Sequence, residues 1–483
     1  MTSQKVFSNF IWRFLERCGA QLVTFIVSVV LARILDPNVY GITALVTVFT
    51  SILNVFLDSG FGNALIQKKE ADELDFSSVF YFNVVSSIIL YVLLFFFAPF
   101  ISRFYNMPEL IPVVRVLGIG LLISGVKNIQ QAYVSRNMLF KKFFFATLGG
   151  TIGAAVIGVG MALMGFGVWA LVVQGLFNSL VDTIILWITV KWRPKKMFSL
   201  TRLKSLFRYG WKLLASALLD TGYSQLYSLI IGKKYTSENL AYYNKGGQFP
   251  NVIVTNVNAS IDSVLFPTMS SEQEDVERVK QLTRRAIKTS TYIIMPFMMG
   301  LAVCATPLVS IVLTDKWLPC VFFMRCYCFS YAFWPLHTAN LNAIKALGRS
   351  DLFLKLEIIK KLVGIAILIG GMMISVKAMA LGMILSSIIG QIINSWPNKK
   401  LLGYKYLDQL KDMMPQIILS CVMGAIVYAI TFLPIANWGK LIIQIPLGIA
   451  IYVLGSKILK IDSFQYVIDI AKKLLGRKKE NEH

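Results

Sequence analysis

Polar side chains that could bind anions recur on one face of the first long apolar segment. Arg13, Arg17, Gln21 and Thr24 follow one another at steps of four, four and three residues, the spacing of one α-helical face, and Glu16 lies beside them. Arginine binds phosphate oxygens through two parallel hydrogen bonds. Because hydrocarbon would reject such a face, we expect it to meet an aqueous cavity or another polar face.

Three further segments carry comparable polar faces. The repeating positions are Thr43, Thr47, Ser51, Asn54 and Asp58 in the second segment, Lys212, Ser216, Asp220, Ser224 and Ser228 in the seventh, and Asn244, Gln248, Asn251, Thr255, Asn258 and Asp262 in the eighth. Four helices in two related pairs would therefore present polar faces to one central cleft.

The predicted cleft contains cations, neutral polar groups and acids. The residues expected to bind a ligand are Arg13, Arg17, Lys212, Lys127, Lys245, Arg325, Gln21, Asn54, Asn251 and Thr255, and the acids are Glu16, Asp58, Asp220 and Asp262. The acids could neutralise the cations as buried pairs, or bind protons or sodium ions. Since a buried ion pair costs about as much in desolvation as it returns, stability alone is a weak reason for so many charges. We therefore favour a cavity function over simple pairing.

The composition is that of an integral membrane protein built from α-helices. The chain has 483 residues, 56% of them hydrophobic and 15% charged, and a mean hydropathy of +0.64. Apolar runs of about 20 residues, long enough to cross a bilayer, can be placed about fourteen times. No hydrophilic stretch reaches domain size, and the first segment reads as an uncleaved anchor because charges interrupt its core.

The net charge of +23 records membrane topology. If the amino end is cytoplasmic, most cations fall in the cytoplasmic connections, including 191–205 and 278–285, as the positive-inside rule requires. Both ends are then expected on the cytoplasmic side. We expect anionic membrane lipids as partners of these cations and no nucleic acid.

The chain divides into two halves with additions at the carboxyl end. The expected organisation is an amino-terminal lobe over 1–190, a basic cytoplasmic linker over 191–206, a second lobe over 207–397, two additional spans over 398–459 and a basic amphipathic tail over 460–483.

An internal repeat relates the two lobes. Trp12-Arg13 is echoed by Trp211-Lys212, and LARILDPNVYG from Leu31 is echoed by IIGKKYTSENLAYYN from Ile230, at an offset of about 200 residues. Two six-helix lobes built from such a repeat are typical of secondary transporters.

Motifs for covalent chemistry are absent from the sequence. It contains no phosphate-binding P-loop, no HExxH, no GxSxG, no CxxC pair and only two histidines. We therefore expect that the protein binds no cofactor and no metal and has no enzymatic activity. Any uphill movement of a ligand would have to draw on an ion gradient, on ligand flux or on a partner.

Several stretches together resemble the Wzx-type polysaccharide exporters, in particular the colanic-acid and teichuronic-acid branch. They are SVVLARILDPNVYG from Ser28, DSGFGNALIQKK from Asp58, FSSVFYFN from Phe76, GFGVWALVVQ from Gly165, KWRPKKMFS from Lys191, IIGKKYTSENLAYYN from Ile230 and GRSDLFLKLEIIKK from Gly348.

The resemblance implies the fold of the multidrug/oligosaccharidyl-lipid/polysaccharide (MOP) superfamily, with two six-helix lobes, a cleft and two extra carboxy-terminal helices. It also implies an alternating-access flippase in a bacterial cytoplasmic membrane. Its substrate would be an oligosaccharide on polyprenyl pyrophosphate, and a polysaccharide polymerase and glycosyltransferases are the partners to expect.

Two other functions fit the same residues. A drug or cation antiporter of the same fold would want an acidic or aromatic cleft, and here the cations at least match the acids. A non-transporting subunit of an envelope polysaccharide synthesis complex would show no transport when purified.

Overall fold

The computed structural model describes residues 3–469 apart from 59 and 69. The side chains of residues 3–18, 140, 209, 260, 263, 264 and 350 also lie outside the description. Almost all described residues are helical.

The helices follow one another along the chain with short connections. They are α1 (Ser3–Ile34), α2 (Pro37–Asp58), α3 (Phe61–Gln67), α4 (Glu73–Tyr105), α5 (Leu110–Arg136), α6 (Phe140–Leu163), α7 (Val168–Thr189), α8 (Leu200–Lys234), α9 (Ser237–Ser271), α10 (Val276–Val303), α11 (Ala305–Leu313), α12 (Cys320–Ala332), α13 (Trp334–Ala346), α14 (Ser350–Met372), α15 (Val376–Leu401), α16 (Tyr406–Ala429) and α17 (Asn437–Ile458), with 3-10 turns at Asp315–Trp317 and Ile430–Phe432.

The all-α membrane class is confirmed. Nine helical stretches in the described residues are long and apolar enough to cross a bilayer. α8 and α9 are long enough but fall outside this set, since polar side chains such as Lys212, Asp220 and Asp262 interrupt their apolar surface. The count of about fourteen spans stays a prediction.

Packing divides the chain into two compact units, residues 1–241 (unit 1) and 242–483 (unit 2). In unit 1, α6 packs against α7 and α1, α4 against α5, and α8 against α2, α3 and α4. In unit 2, α10 packs against α12, α13 and α16, while α15 packs against α12, α13 and α14. The two lobes joined by a linker at residues 191–206, which the sequence repeat suggests, stay a prediction.

The basic connection before α8 is fixed to α4. The backbone N–H of Lys195 donates to Ser77 Oγ at 3.0 Å, and that of Ser199 donates to Ser78 Oγ at 2.9 Å. Trp192 is buried in the apolar core of unit 1. This connection therefore positions the start of α8.

The two breaker turns of the predicted repeat lie against each other in unit 1. Ser237 Oγ, at the start of α9, donates a hydrogen bond to Asn38 Oδ1, at the start of α2. A Cβ on Gly41 would lie 2.0 Å from the carbonyl oxygen of Ser237, so this approach requires glycine. The turn after α1 and the turn after α8 are therefore in direct contact, and the internal repeat itself stays a prediction.

Candidate functional site

Unit 1 contains a cluster of charged and amide side chains between α2, α5 and α7. Lys127 Nζ on α5 lies 3.3 Å from Asp182 Oδ2 on α7, and the two side chains are 17% and 13% exposed. On the next residue of α5, Asn128 Nδ2 donates to Asp58 Oδ1 at 2.7 Å. The charge of Lys127 also acts on Asp58. Lys127 therefore pairs with Asp182, while the neighbouring Asn128 binds Asp58 on another helix.

A polar cavity of about 230 Å³ lies beside Asp58. Asn63 of α3, Asn83 of α4 and Asn128 of α5 contribute to its lining. Asn83 is 3% exposed, and its Oδ1 accepts no hydrogen bond from any described residue. One carboxylate and several amide side chains thus line the cavity, which suits a cation or a ligand rich in hydroxyl groups.

The polar face predicted on α8 is exposed along most of its length. Lys212, Ser216, Asp220 and Ser224 are exposed, whereas Ser228 is buried. Lys212 forms no ion pair with any residue in the described part of the chain. Since hydrocarbon rejects exposed charges, this surface of α8 is suited to contact water or a polar ligand.

The amino-terminal helix pair is described in part. Arg13, Arg17 and Glu16 lie outside the residues whose side chains are described. Gln21 is half-buried. Asn54 is also half-buried and donates to the backbone carbonyl of Thr50 at 2.9 Å, so its amide N–H is engaged within α2.

The predicted residues of α9 are placed in different surroundings. Asn251 and Thr255 are exposed on neighbouring turns. Asp262 is exposed and accepts a hydrogen bond from Asn342 Nδ2 of α13 at 2.6 Å. Lys245 is buried, with Nζ 5.5 Å from the centroid of the Trp317 ring, so it lies within the packing of unit 2.

Arg325 binds protein groups at the end of α10. Its Nε donates to the carbonyl oxygen of Ala302 at 3.1 Å and its Nη2 to Thr306 Oγ1 at 3.4 Å. These contacts tie α12 to the turn between α10 and α11.

Of the predicted residues, the structure brings Asp58 and Lys127 into one cluster. Sequence reasoning missed Asp182, Asn128 and Asn83, which complete that cluster. Asp182 carried the same signal as Asp58, an acid inside an apolar run.

A family model places the chain among known proteins. The model described as "Polysaccharide biosynthesis protein", Polysacc_synt_3, matches residues 30–322. The chain belongs to this family. The matched range covers α2 to α11, which includes the cluster of Lys127, Asp58 and Asp182 and the polar face of α8.

Three relatives of this chain have names that refer to polysaccharide biosynthesis or transport. It is 25% identical over 80% of its length to the teichuronic acid biosynthesis protein TuaB of Bacillus subtilis, covering 80% of that protein. It is 24% identical over 82% of its length to the lipopolysaccharide biosynthesis protein WzxC of Escherichia coli, covering 83%. It is 25% identical over 66% of its length to the succinoglycan biosynthesis transport protein ExoT of Rhizobium meliloti, and spans 64% of that protein. These matches confirm the resemblance to Wzx-type exporters.

A solved structure shows the fold. The chain superposes on the lipid II flippase MurJ, in an inward closed conformation, with a TM-score of 0.76, 17% identity and coverage of 94% of this chain and 99% of that one. This member of the polysaccharide biosynthesis family therefore has the fold of that flippase. The long apolar helical stretches in its described part make it a multi-pass membrane protein.

Proposed function

We propose that this protein is an alternating-access flippase. It moves an oligosaccharide linked to polyprenyl pyrophosphate from the cytoplasmic to the outer leaflet for polysaccharide export. The observation that carries the proposal is the exposed polar face of α8 in a membrane protein of the polysaccharide biosynthesis family. An unpaired ammonium at Lys212 there suits the pyrophosphate, because charge-assisted hydrogen bonds to phosphate gain strength away from bulk water.

The remaining predicted residues are assigned within each unit. Arg13 and Arg17, which the sequence period places on one face of α1, are proposed to share the pyrophosphate with Lys212. Gln21 and Asn54 are proposed to bind sugar hydroxyls. In unit 2, Asn251, Thr255, Lys245 and Arg325 stay predicted ligand-binding residues.

The acids Glu16, Asp58, Asp220 and Asp262 are the proposed sites of ion coupling. Asp58 is best supported, because the cavity beside it is also lined by the amide side chains of Asn63, Asn83 and Asn128. A proton or sodium ion there would compensate the Asp58 carboxylate, since Lys127 is paired with Asp182.

The proposed setting is a bacterial cytoplasmic membrane with both chain ends in the cytoplasm. The distribution of basic connections supports this orientation. A polysaccharide polymerase and glycosyltransferases are the proposed protein partners, and the protein itself would catalyse no covalent reaction.

Flipping of a fluorescent polyprenyl-pyrophosphate-linked oligosaccharide in proteoliposomes tests the proposal. Lys212→Gln should slow flipping by roughly ten- to a hundredfold, because this factor corresponds to the free energy of one charge-assisted hydrogen bond. Lys204→Gln removes the same charge from an exposed position at the start of α8 and is the matched control. Unchanged flipping by Lys212→Gln would remove the cationic site from the mechanism, and absence of flipping by the wild type would favour the non-transporting subunit.

A drug or cation antiporter is the second candidate, and the carboxylate of Asp58 in the lining of the polar cavity favours it. It predicts proton or sodium flux driven by a cationic dye, which Asp58→Asn abolishes. The flippase proposal predicts no flux with the dye.

A further inference from the structure

A basic pocket lies in unit 2, where the first half of α10 faces the helical segment 462–469 that follows α17. Its volume is about 440 Å³. Arg278, Arg284, Arg285 and Lys288 line it, and Asp462 is the one acid among the described lining residues. The pocket therefore has a surplus of positive charge.

Two of its cations are held by carboxylates. Arg284 makes a two-pronged ion pair with Asp412 of α16, with Nε and Nη2 each 2.6 Å from a carboxylate oxygen. Lys288 Nζ lies 3.6 Å from Asp412 and 3.7 Å from Asp462. These contacts make Arg284 and Lys288 part of the walls, and leave them little capacity for a ligand.

The other two cations are available to a ligand. Arg278 and Arg285 are exposed, and no described carboxylate pairs with either. The guanidinium carbon of Arg285 lies 4.2 Å from the centroid of the Tyr466 ring, a contact that holds the side chain at the pocket without neutralising its charge. The two residues are seven apart, so they lie on one face of α10, two turns or about 10 Å from each other.

A separate apolar cavity lies farther along the same helix, toward the carboxyl end of α10. It has a volume of about 500 Å³, with Tyr292, Pro296 and Gly300 of α10 on one side and Gly448 and Tyr452 of α17 on the other. Thr289 of the pocket and Tyr292 of the cavity are about one helical turn, or 5 Å, apart. A phosphate site followed by an apolar space has the shape of a lipid. A soluble anion would occupy only the basic pocket.

The segment 462–469 closes this site through apolar contacts. Ile461 is buried, and Phe464 and Val467 pack against the cluster that contains Tyr292 and Tyr452. The first turns of the carboxy-terminal tail are therefore docked on α10 and α17. A ligand between Arg285 and the segment would strengthen this docking.

We propose that the composite site binds an anionic phospholipid from the leaflet that faces the basic end of α10. Its phosphate lies between Arg278 and Arg285, and one acyl chain enters the apolar cavity. The positive-inside distribution makes this the inner leaflet. The inference does not depend on what the protein transports.

The test is equilibrium binding of a phosphatidylglycerol with a fluorescent acyl chain to the full-length protein in detergent. The wild type should prefer it over phosphatidylcholine of the same chain length by about thirtyfold, the contribution of roughly two basic side chains. Arg278→Gln/Arg285→Gln should abolish this preference. Lys280→Gln/Lys399→Gln removes two charges outside the pocket and should retain it. Equal losses in the two double variants would overturn the proposal.

Two further variants separate the parts of the site. Tyr466→Leu removes the ring from Arg285 without changing charge and should weaken phosphatidylglycerol binding several-fold. Gly300→Leu adds a side chain on the cavity wall, where a Cβ meets nothing within 4 Å, and should weaken long-chain but not short-chain phosphatidylglycerol. Melting in detergent without lipid shows that each variant is folded.

Competition identifies the ligand class. Inorganic phosphate at millimolar concentration should fail to displace the lipid, since it cannot use the apolar cavity. Displacement by phosphate would assign the pocket to a soluble anion. Tighter binding of polyprenyl phosphate than of phosphatidylglycerol would assign it to the prenyl carrier. Either result would overturn the assignment to a phospholipid.

Discussion

At the scale of residues, the ion pair between Lys127 and Asp182 is mostly withdrawn from solvent, with a separation of 3.3 Å. Removing one partner leaves the other charge uncompensated. We expect Lys127→Met to lower the free energy of unfolding by about 3–5 kcal/mol, and Lys127→Met/Asp182→Leu to recover most of it. Chemical denaturation of the purified protein in detergent measures both. If Lys127→Met were as stable as the wild type, the ion pair between Lys127 and Asp182 would be contradicted.

The same double variant separates stability from transport. If the cluster takes part in ion coupling, Lys127→Met/Asp182→Leu should be stable but should flip the lipid-linked oligosaccharide slowly. Normal flipping would make the pair purely structural.

The partner of Lys127 illustrates what one sequence can predict about a site. Helical periodicity places residues on a face of their own helix, so the polar faces of α2 and α8 could be recognised. Asp182 lies 55 residues from Lys127 and on another helix. Its contact depends on how α5 packs against α7, which the period of neither helix specifies.

At the scale of elements, the close approach of α2 to the start of α9 depends on Gly41. A Cβ there would lie 2.0 Å from the Ser237 carbonyl oxygen, a backbone atom that cannot move alone. We expect Gly41→Ala to lower the free energy of unfolding by about 1–3 kcal/mol through overpacking. Gly222→Ala on α8 is the control, because an added Cβ meets nothing within 4 Å and alanine favours the helix. Melting temperatures in detergent compare the two, and equal values would contradict the close approach.

The helices themselves follow from hydropathy, because an apolar segment in a membrane must satisfy its backbone hydrogen bonds internally. Each predicted span has its centre in a helix; the centres lie near Thr24, Ser51, Leu90, Leu122, Val156, Gly175, Leu219, Thr255, Phe297, Ala332, Gly364, Leu385, Ala425 and Gly448. The tenth span, near Ala332, is divided between two helices, since α12 ends at Ala332 and α13 begins at Trp334 with Pro335 in its first turn. Proline accounts for the break, and the apolar run alone does not reveal it.

At the scale of the whole molecule, the basic connections predict both ends in the cytoplasm. A green fluorescent protein fused after His483 should fluoresce, because it folds on the cytoplasmic side. Alkaline phosphatase at the same position should be inactive, since it needs the oxidising outer side. The reverse pattern would invert the topology and move the proposed phospholipid to the outer leaflet.

The polar face of α8 is proposed to contact water within the membrane. Thiol labelling with a charged, membrane-impermeant maleimide tests this contact, in a background where Cys18 and the exposed Cys421 are replaced by alanine. Ser216→Cys and Ser224→Cys should be labelled, while Leu93→Cys, an exposed apolar position on α4, should not. Saturating lipid-linked oligosaccharide should slow labelling at Ser216→Cys. If both α8 positions resist the reagent as Leu93→Cys does, the face contacts lipid and the proposed path through the membrane is wrong.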